Sequence, residues 1–388
     1  GQLRMGGDFI RELNGGRGGD TSHACMPGCL IKCSNVYVDD TGRELVSPLE
    51  YETIGLLGTN CGLDDPDDVA RLNETANDLG VDSIELGATI GVLMEAGIGA
   101  FGDVGFMQSC LEDIRVGNER GRIYASGTAR VGKAFDVARV PVIKQQAISA
   151  YDPRIIEVTG ISMMLTAQGA DHTVGNAPSF KCDDKTIDEL VAESLRMQIN
   201  SAVADSFGLC VFGRSVTDDN LKLIADAIND SFDADVTPEF ITGIGFETLR
   251  LEAAFNKAAG FDQEDDELPS FFCDEPLPSK LLRLACMTVC ACSSPWRNQS
   301  PVLETETALT RDEKKLDNSC SYFFCVPATI GLIMATAISP MSNEVRIGPY
   351  RARKADRPAA RVTTNSLLRA RFKNNMIEQS NVTNGSIW

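Results

Sequence analysis

Apolar residues recur at helical spacing through much of this chain. Val69, Leu72, Ala76 and Leu79 lie on one side of a 3.6-residue repeat. Asp65 stands where an N-cap side chain accepts a first-turn N–H, Pro66 suits the first turn, and Gly80 supplies a stop. The pattern predicts a helix between them. A second is predicted over Ser83 to Ala96, where Ile84, Leu86, Ile90, Val92, Leu93 and Met94 cover nearly the whole circumference. A helix apolar all round is a buried one. Gly121 to Phe135 reads as short pieces punctuated by glycine, and Val140 to Arg154 as a strand or extended run closing on a turn at Asp152-Pro153. Ile155 to Gly169 predicts a helix, and Thr186 to Asp205 a stronger one, striped by Ile187, Leu190, Val191, Leu195, Ile199, Ala202 and Val203.

The two ends read differently. Gly1 to Asp20 is rich in glycine and predicts no helix or strand of convincing length; lacking an initial Met, it reads as a segment entered from something upstream. Beyond Pro278 periodicity fades, and both tryptophans, Trp296 and Trp388, fall there with five cysteines. No internal repeat is visible.

Composition narrows the class. A chain of 388 residues is too long for one ordinary core, so two or three domains are expected. Aromatics make up only 6% against 34 glycines, which suits close helix packing and a helical or α/β class. The net charge of −19 argues against a nucleic-acid partner, whose phosphates require a basic surface. That charge is uneven: residues 279–388 hold 15 Lys and Arg against 8 Asp and Glu, and residues 1–278 hold 21 against 47. No apolar run in the body is long enough for a bilayer, and Phe323 to Ile338 is short and contains Pro327, so no membrane contact is expected. Thirteen cysteines, an odd number with no signal peptide before them, point to a reduced, cytoplasmic chain rather than a disulfide scaffold. Two histidines, His23 and His172, are too few for a His-rich metal centre.

Cys25, Cys29 and Cys33 stand at C-x3-C-x3-C, with a turn at Pro27-Gly28. Three thiolates so spaced can wrap one face of an iron–sulfur cubane, a fourth ligand coming from elsewhere. Zinc sites and radical-SAM loops use other spacings, and three buried, unliganded cysteines remain the plain alternative. His23, beside this loop, reads as packing or tuning it.

The cysteine motif is followed in order by Glu-Tyr-Glu-Thr-Ile-Gly-Leu-Leu-Gly-Thr-Asn-Cys at 50–61, Asn-Asp-Leu-Gly-Val-Asp at 77–82, Tyr-Asp-Pro-Arg at 151–154, Gly-Ala-Asp-His at 169–172 and Asp-Ser-Phe-Gly-Leu-Cys at 205–210. This succession resembles the aldehyde:ferredoxin oxidoreductase family over roughly residues 1–278. The resemblance implies a mainly α fold of two packed helical domains, placed at 1–134 and 135–278, with 279–388 an unmatched basic tail, disordered or frame-shifted. It implies a tungsten- or molybdenum-bis-pterin and a [4Fe-4S] cluster ligated by Cys25, Cys29, Cys33 and Cys210. Asn77, Gly80, Val81 and Asp82 would contact one pterin, and Asp205, Gly208 and Leu209 the other. Two departures stand out: Asn77 replaces the family's first Asp, and the first cysteine gap is one residue longer.

The same resemblance places Glu52 near the metal, where a buried carboxyl would orient or deprotonate a water or aldehyde hydrate. His172 would pass a proton or polarise the substrate carbonyl. Read without the family, Glu52 is a surface or capping residue and His172 a satisfied structural one. Tyr151 to Arg154 is a turn that lines the cavity. The implied activity oxidises aldehydes to carboxylic acids and passes electrons to ferredoxin or a similar acceptor. The family's β-rich pterin base domain is expected to be missing from this chain and to act as its partner. The alternative is a non-catalytic [4Fe-4S] electron-transfer module, or a degenerate remnant of such an enzyme.

Overall fold

The computed structural model describes residues 4–275, so the expectations for 279–388, including the tryptophans and the apolar run from Phe323 to Ile338, lie outside the described residues. The fold is mainly helical. Helix α1 (Gly7–Gly16) corrects the opening expectation of no helix. Its flanking glycines read as breakers, but tertiary contact decides: Ile10 is buried, and Asn14 donates to the Val36 carbonyl and accepts from the Val38 N–H.

Strands β1 (Asp20–His23), β2 (Ser34–Val38) and β3 (Glu44–Val46) form a three-stranded antiparallel sheet in that order. The pairings Asp20 with Val36 and His23 with Ser34 make residues 24–33 the loop between β1 and β2, so the cysteine motif projects from a hairpin. Helix α2 (Tyr51–Thr53) runs on into a π-helical turn (Ile54–Gly58) and a 3-10 turn (Thr59–Cys61).

Helix α3 (Pro66–Leu79) follows the sequence reading closely: the Asp65 carboxylate accepts from the Asp67 N–H, and Gly80 ends the helix at φ 70°. Helix α4 (Ser83–Glu95) is buried from Leu86 to Ile90 and again from Val92 to Met94. It lies so close to the π turn that a Cβ on Gly87 would meet the Leu56 carbonyl carbon at 2.4 Å. Helices α5 (Val104–Val116), α6 (Glu119–Tyr124) and α7 (Thr128–Ala134) complete this part.

The extended run expected over Val140 to Arg154 is broken into two short strands, β4 (Val142–Ile143) and β5 (Gln146–Ala147). Lys144 and Gln145 between them both take positive φ, the tight hairpin turn that ends a strand after two residues. Helix α8 (Glu157–Leu165) is shorter than its predicted span, entered from the turn at Asp152-Pro153. Helix α9 (Ile187–Ser206) begins on Thr186 in a full capping box with Glu189. Ser194 and Gln198 share its buried face, held by a Ser162–Ser194 hydroxyl contact of 2.8 Å and a Gln198 amide donating to Ser194.

A 3-10 turn (Val211–Gly213) precedes α10 (Arg214–Thr217), α11 (Leu221–Phe232), α12 (Pro238–Ala259) and α13 (Phe271–Asp274). Residues 4–213 and 242–275 form one compact unit and 214–241 belong to a second. In the second, the Asn229 side chain closes the α11 exit by bonding both the N–H and the carbonyl of Val236. Within the first, one apolar cluster gathers buried residues from Met5 to Val131 around Tyr37, Leu57, Leu72 and Leu93, and another those from Ile143 to Phe272 around Ile161, Met163 and Leu190. No helix among the described residues is long and apolar enough to cross a membrane.

Candidate functional site

Glu52 lies on the short helix just before the π turn, an insertion common at functional positions because it turns side chains off the regular repeat. The residue is 9% exposed. Its Oε2 accepts from the Ala150 N–H at 2.8 Å, while its Oε1 is buried with no hydrogen-bond partner. Burial pushes this carboxyl above its usual range; the Ala150 N–H and His172 pull against that rise, and the charges of Asp171 and Asp82 add to it.

The structure brings His172 to Glu52 across 120 residues of sequence. Nε2 of the imidazole stands 3.6 Å from Oε1, an ion-pair distance too long for a hydrogen bond. Nδ1 is buried without a hydrogen-bond partner and lies 3.8 Å from Asp171 Oδ1. Tyr151 stacks on the imidazole with centroids 5.6 Å apart, and Tyr51 packs on Tyr151 at 5.2 Å while its hydroxyl donates to the Ala150 carbonyl. The pair thus combines a carboxyl and an imidazole, both capable of holding a proton, beside an aromatic wall and the Asp171 carboxylate.

The two helix-end motifs adopt one local shape. In the first, Gly80 takes φ 70°, its N–H donates to the Asn77 carbonyl, and the Val81 N–H reaches back to the Ala76 carbonyl. In the second, Gly208 takes φ 64°, its N–H donates to the Asp205 carbonyl, and the Leu209 N–H reaches the Ala204 carbonyl. These are Schellman-type stops. A Cβ at either glycine would meet nothing within 4 Å, so the backbone faces open space on both. Asp82 then caps α4 by accepting from the Glu85 N–H at 2.8 Å, and Asn77, Asp82 and Asp205 are exposed. Asp82 also acts on Glu52 by charge, which links the first motif to the pair. The charge of Asp205 pushes the Glu252 carboxyl the same way that its burial does, upward.

Cys25 and Cys210 are exposed and Cys29 and Cys33 half-buried, all as free thiols. Burial raises the Cys33 thiol, and the neighbouring Cys210, Cys25 and Cys29 push it further, so the hairpin loop and the α9 exit deliver four sulfurs to one neighbourhood. The Lys32 N–H donates to Cys29 Sγ at 3.4 Å and pulls that thiol down. Among the described residues no three His, Cys, Asp or Glu side chains close to metal-ligating distance. In donor type, four thiols on loops, two of them open to solvent, suit an iron–sulfur cluster. Cys61 and Cys110, by contrast, are buried and pushed up to about 12 by burial, inert packing residues.

Sequence reasoning missed three partners of the pair: the Ala150 N–H, Asp171 and the aromatic wall of Tyr51. Asp171 and Tyr51 adjoin His172 and Glu52 in sequence, and that adjacency was the available signal.

Residues 17–287 match the family model described as aldehyde ferredoxin oxidoreductase, domains 2 & 3. The chain is 30% identical over 281 residues to the tungsten-containing aldehyde ferredoxin oxidoreductase of Pyrococcus horikoshii, covering 64% of this chain and 45% of that protein. The aliphatic sulfonate oxidoreductase WOR-like subunit of Pyrococcus furiosus is 27% identical over 290 residues, 65% of this chain and 43% of that protein. Among solved structures, the BamBC active-site complex of benzoyl coenzyme A reductase with 1,5-dienoyl-CoA shares the fold at TM-score 0.55 and 15% identity, over 69% of this chain and 49% of that chain. This chain therefore spans less than half the length of the curated relatives it matches, and over most of its own length it belongs to the aldehyde ferredoxin oxidoreductase family.

Proposed function

We propose that this chain supplies the proton-handling pair and the cluster ligands of an oxidoreductase that converts aldehydes to carboxylic acids and delivers electrons to ferredoxin. The observation that carries the reading is the approach of His172 Nε2 to Glu52 Oε1 at 3.6 Å, beside the Tyr151 ring. In the reaction an aldehyde and one water give a carboxylic acid, two electrons and two protons. Glu52 Oε1 accepts a proton from the water or aldehyde hydrate, a task suited to a carboxyl held above its usual range. His172 receives that proton or steadies the carboxyl, its ring held by stacking on Tyr151.

Cys25, Cys29, Cys33 and Cys210 would hold a [4Fe-4S] cluster. Asn77, Gly80, Val81 and Asp82, with Asp205, Gly208 and Leu209, would hold a tungsten- or molybdenum-bis-pterin. When bound, these groups supply two-electron acceptance and one-electron release. The open backbone beside Gly80 and Gly208 supports that assignment. The remaining wall of the pterin cradle is assigned to a β-rich partner domain, and residues 1–134 and 135–278 to two helical domains, in keeping with the two apolar clusters. The free thiols suit a reducing, cytoplasmic setting.

Anaerobic metal and sulfide analysis with EPR tests this on the full chain, co-expressed with a family base domain. About four irons per chain with tungsten or molybdenum are expected. Cys210→Ser should lose most of the iron, whereas Cys61→Ser should keep it. Iron without a heavy metal would favour an electron-transfer module or a remnant, and absence of both would remove the proposal.

A further inference from the structure

Neither Glu52 nor His172 is held chiefly by its own element. Glu52 takes its one hydrogen bond from Ala150, and His172 lies against Tyr151, so both depend on the turn 150–154. That turn is organised by Arg154. Its backbone N–H donates to Asp152 Oδ1 at 2.8 Å, and its Nε and Nη2 donate to the same carboxylate at 3.0 and 2.6 Å. Its Nη1 donates to the Glu275 carbonyl, and the guanidinium lies 5.1 Å over the Phe272 ring. The anchor is itself fixed: Arg139 pairs with the Glu275 carboxylate at 3.0 Å and lies over Phe271 at 4.9 Å. A guanidinium can fill two acceptors and an aromatic face at once because its five donors sit in one rigid plane.

We infer that Arg154 is the positioning residue of the Glu52–His172 pair: by clasping Asp152 to the Phe272–Glu275 segment it sets Ala150 against Glu52 and Tyr151 against His172. The inference rests on the proposed role of the pair. Arg154 touches neither residue; it acts through the backbone and ring it holds in place.

The test uses the full chain and needs no bound metal or aldehyde, so its failure is distinguishable from failure of the proposed activity. His172 and His23 are the only histidines, and long-range proton–nitrogen NMR of labelled histidine therefore shows two rings, one serving as the control. In Arg154→Gln the His172 ring resonances should move while those of His23 stay, and the Ala150 amide should exchange about tenfold faster relative to the α3 amides. Arg154→Lys should fail to restore either probe, since an ammonium cannot serve both acceptors while lying flat on the ring. A variant that only melts earlier, with both probes as in the parent chain, would show Arg154 to be a mere staple and overturn the inference. If Arg154→Gln does not fold, Asp152→Asn carries the test. It retains one acceptor, so both probes should move the same way by a smaller amount; unmoved probes overturn the inference equally.

Discussion

Glu52 shows what a single buried carboxyl costs and what it makes available. Its raised proton affinity means that the folded state holds a proton more tightly than the unfolded chain does. The stabilisation that follows is complete below the ordinary Glu range and is lost as pH rises through the folded value. Glu52→Gln keeps an oxygen for the Ala150 N–H and removes the charge. At pH 7 this variant should be the more stable, by on the order of 1 kcal/mol, with the difference closing below about pH 4. Thermal melts across that range check the sign, and a variant that melts lower at pH 7 would contradict it. Turnover of aldehydes should be lost in the same variant. Sequence motifs named Glu52 and His172 individually, but their 3.6 Å approach joins positions far apart in the chain, and no local pattern encodes such a distance.

Among elements, legibility followed how much of the cause was local. Helices α3, α4 and α9 carry caps and apolar spacing of their own, and the sequence reading found them within a residue or two. Helix α1 and the β4–β5 hairpin depend on partners elsewhere or on unusual backbone at Lys144 and Gln145, and these escaped it. The glycines separate the same two kinds of cause. Gly80→Ala meets no neighbour and should cost only its left-handed backbone, about 1 kcal/mol. Gly87→Ala drives a methyl against the Leu56 backbone and should cost about 3 kcal/mol or more, or prevent folding. Urea unfolding of both variants distinguishes them, and equal costs would contradict the close approach of α4 to the π turn.

At the scale of the molecule, an acidic chain must find places where carboxylates are matched, and Asp67 is one. It accepts from Arg17, which caps the end of α1, at 2.6 and 3.0 Å and from the Tyr37 hydroxyl on β2 at 2.6 Å, tying both to α3. Burial pushes Asp67 up, but Arg17 and Tyr37 outweigh it and its proton affinity falls. That stabilisation is present above the ordinary Asp range and disappears as pH falls through the folded value. Asp67→Ala should cost about 2–3 kcal/mol at pH 7, and acid should narrow the gap as the parent chain loses the same ties. Denaturant titrations at pH 7 and pH 3 measure this; a constant gap would contradict it. The twin stops after α3 and α9 carry a different lesson. One backbone shape presents a carboxylate at Asp82 and a thiol at Cys210 in the same sixth place. The shared stop thus fixes only the path of the chain: after it Asp82 uses its carboxylate to cap α4, whereas Cys210 runs into a 3-10 turn with its thiol exposed.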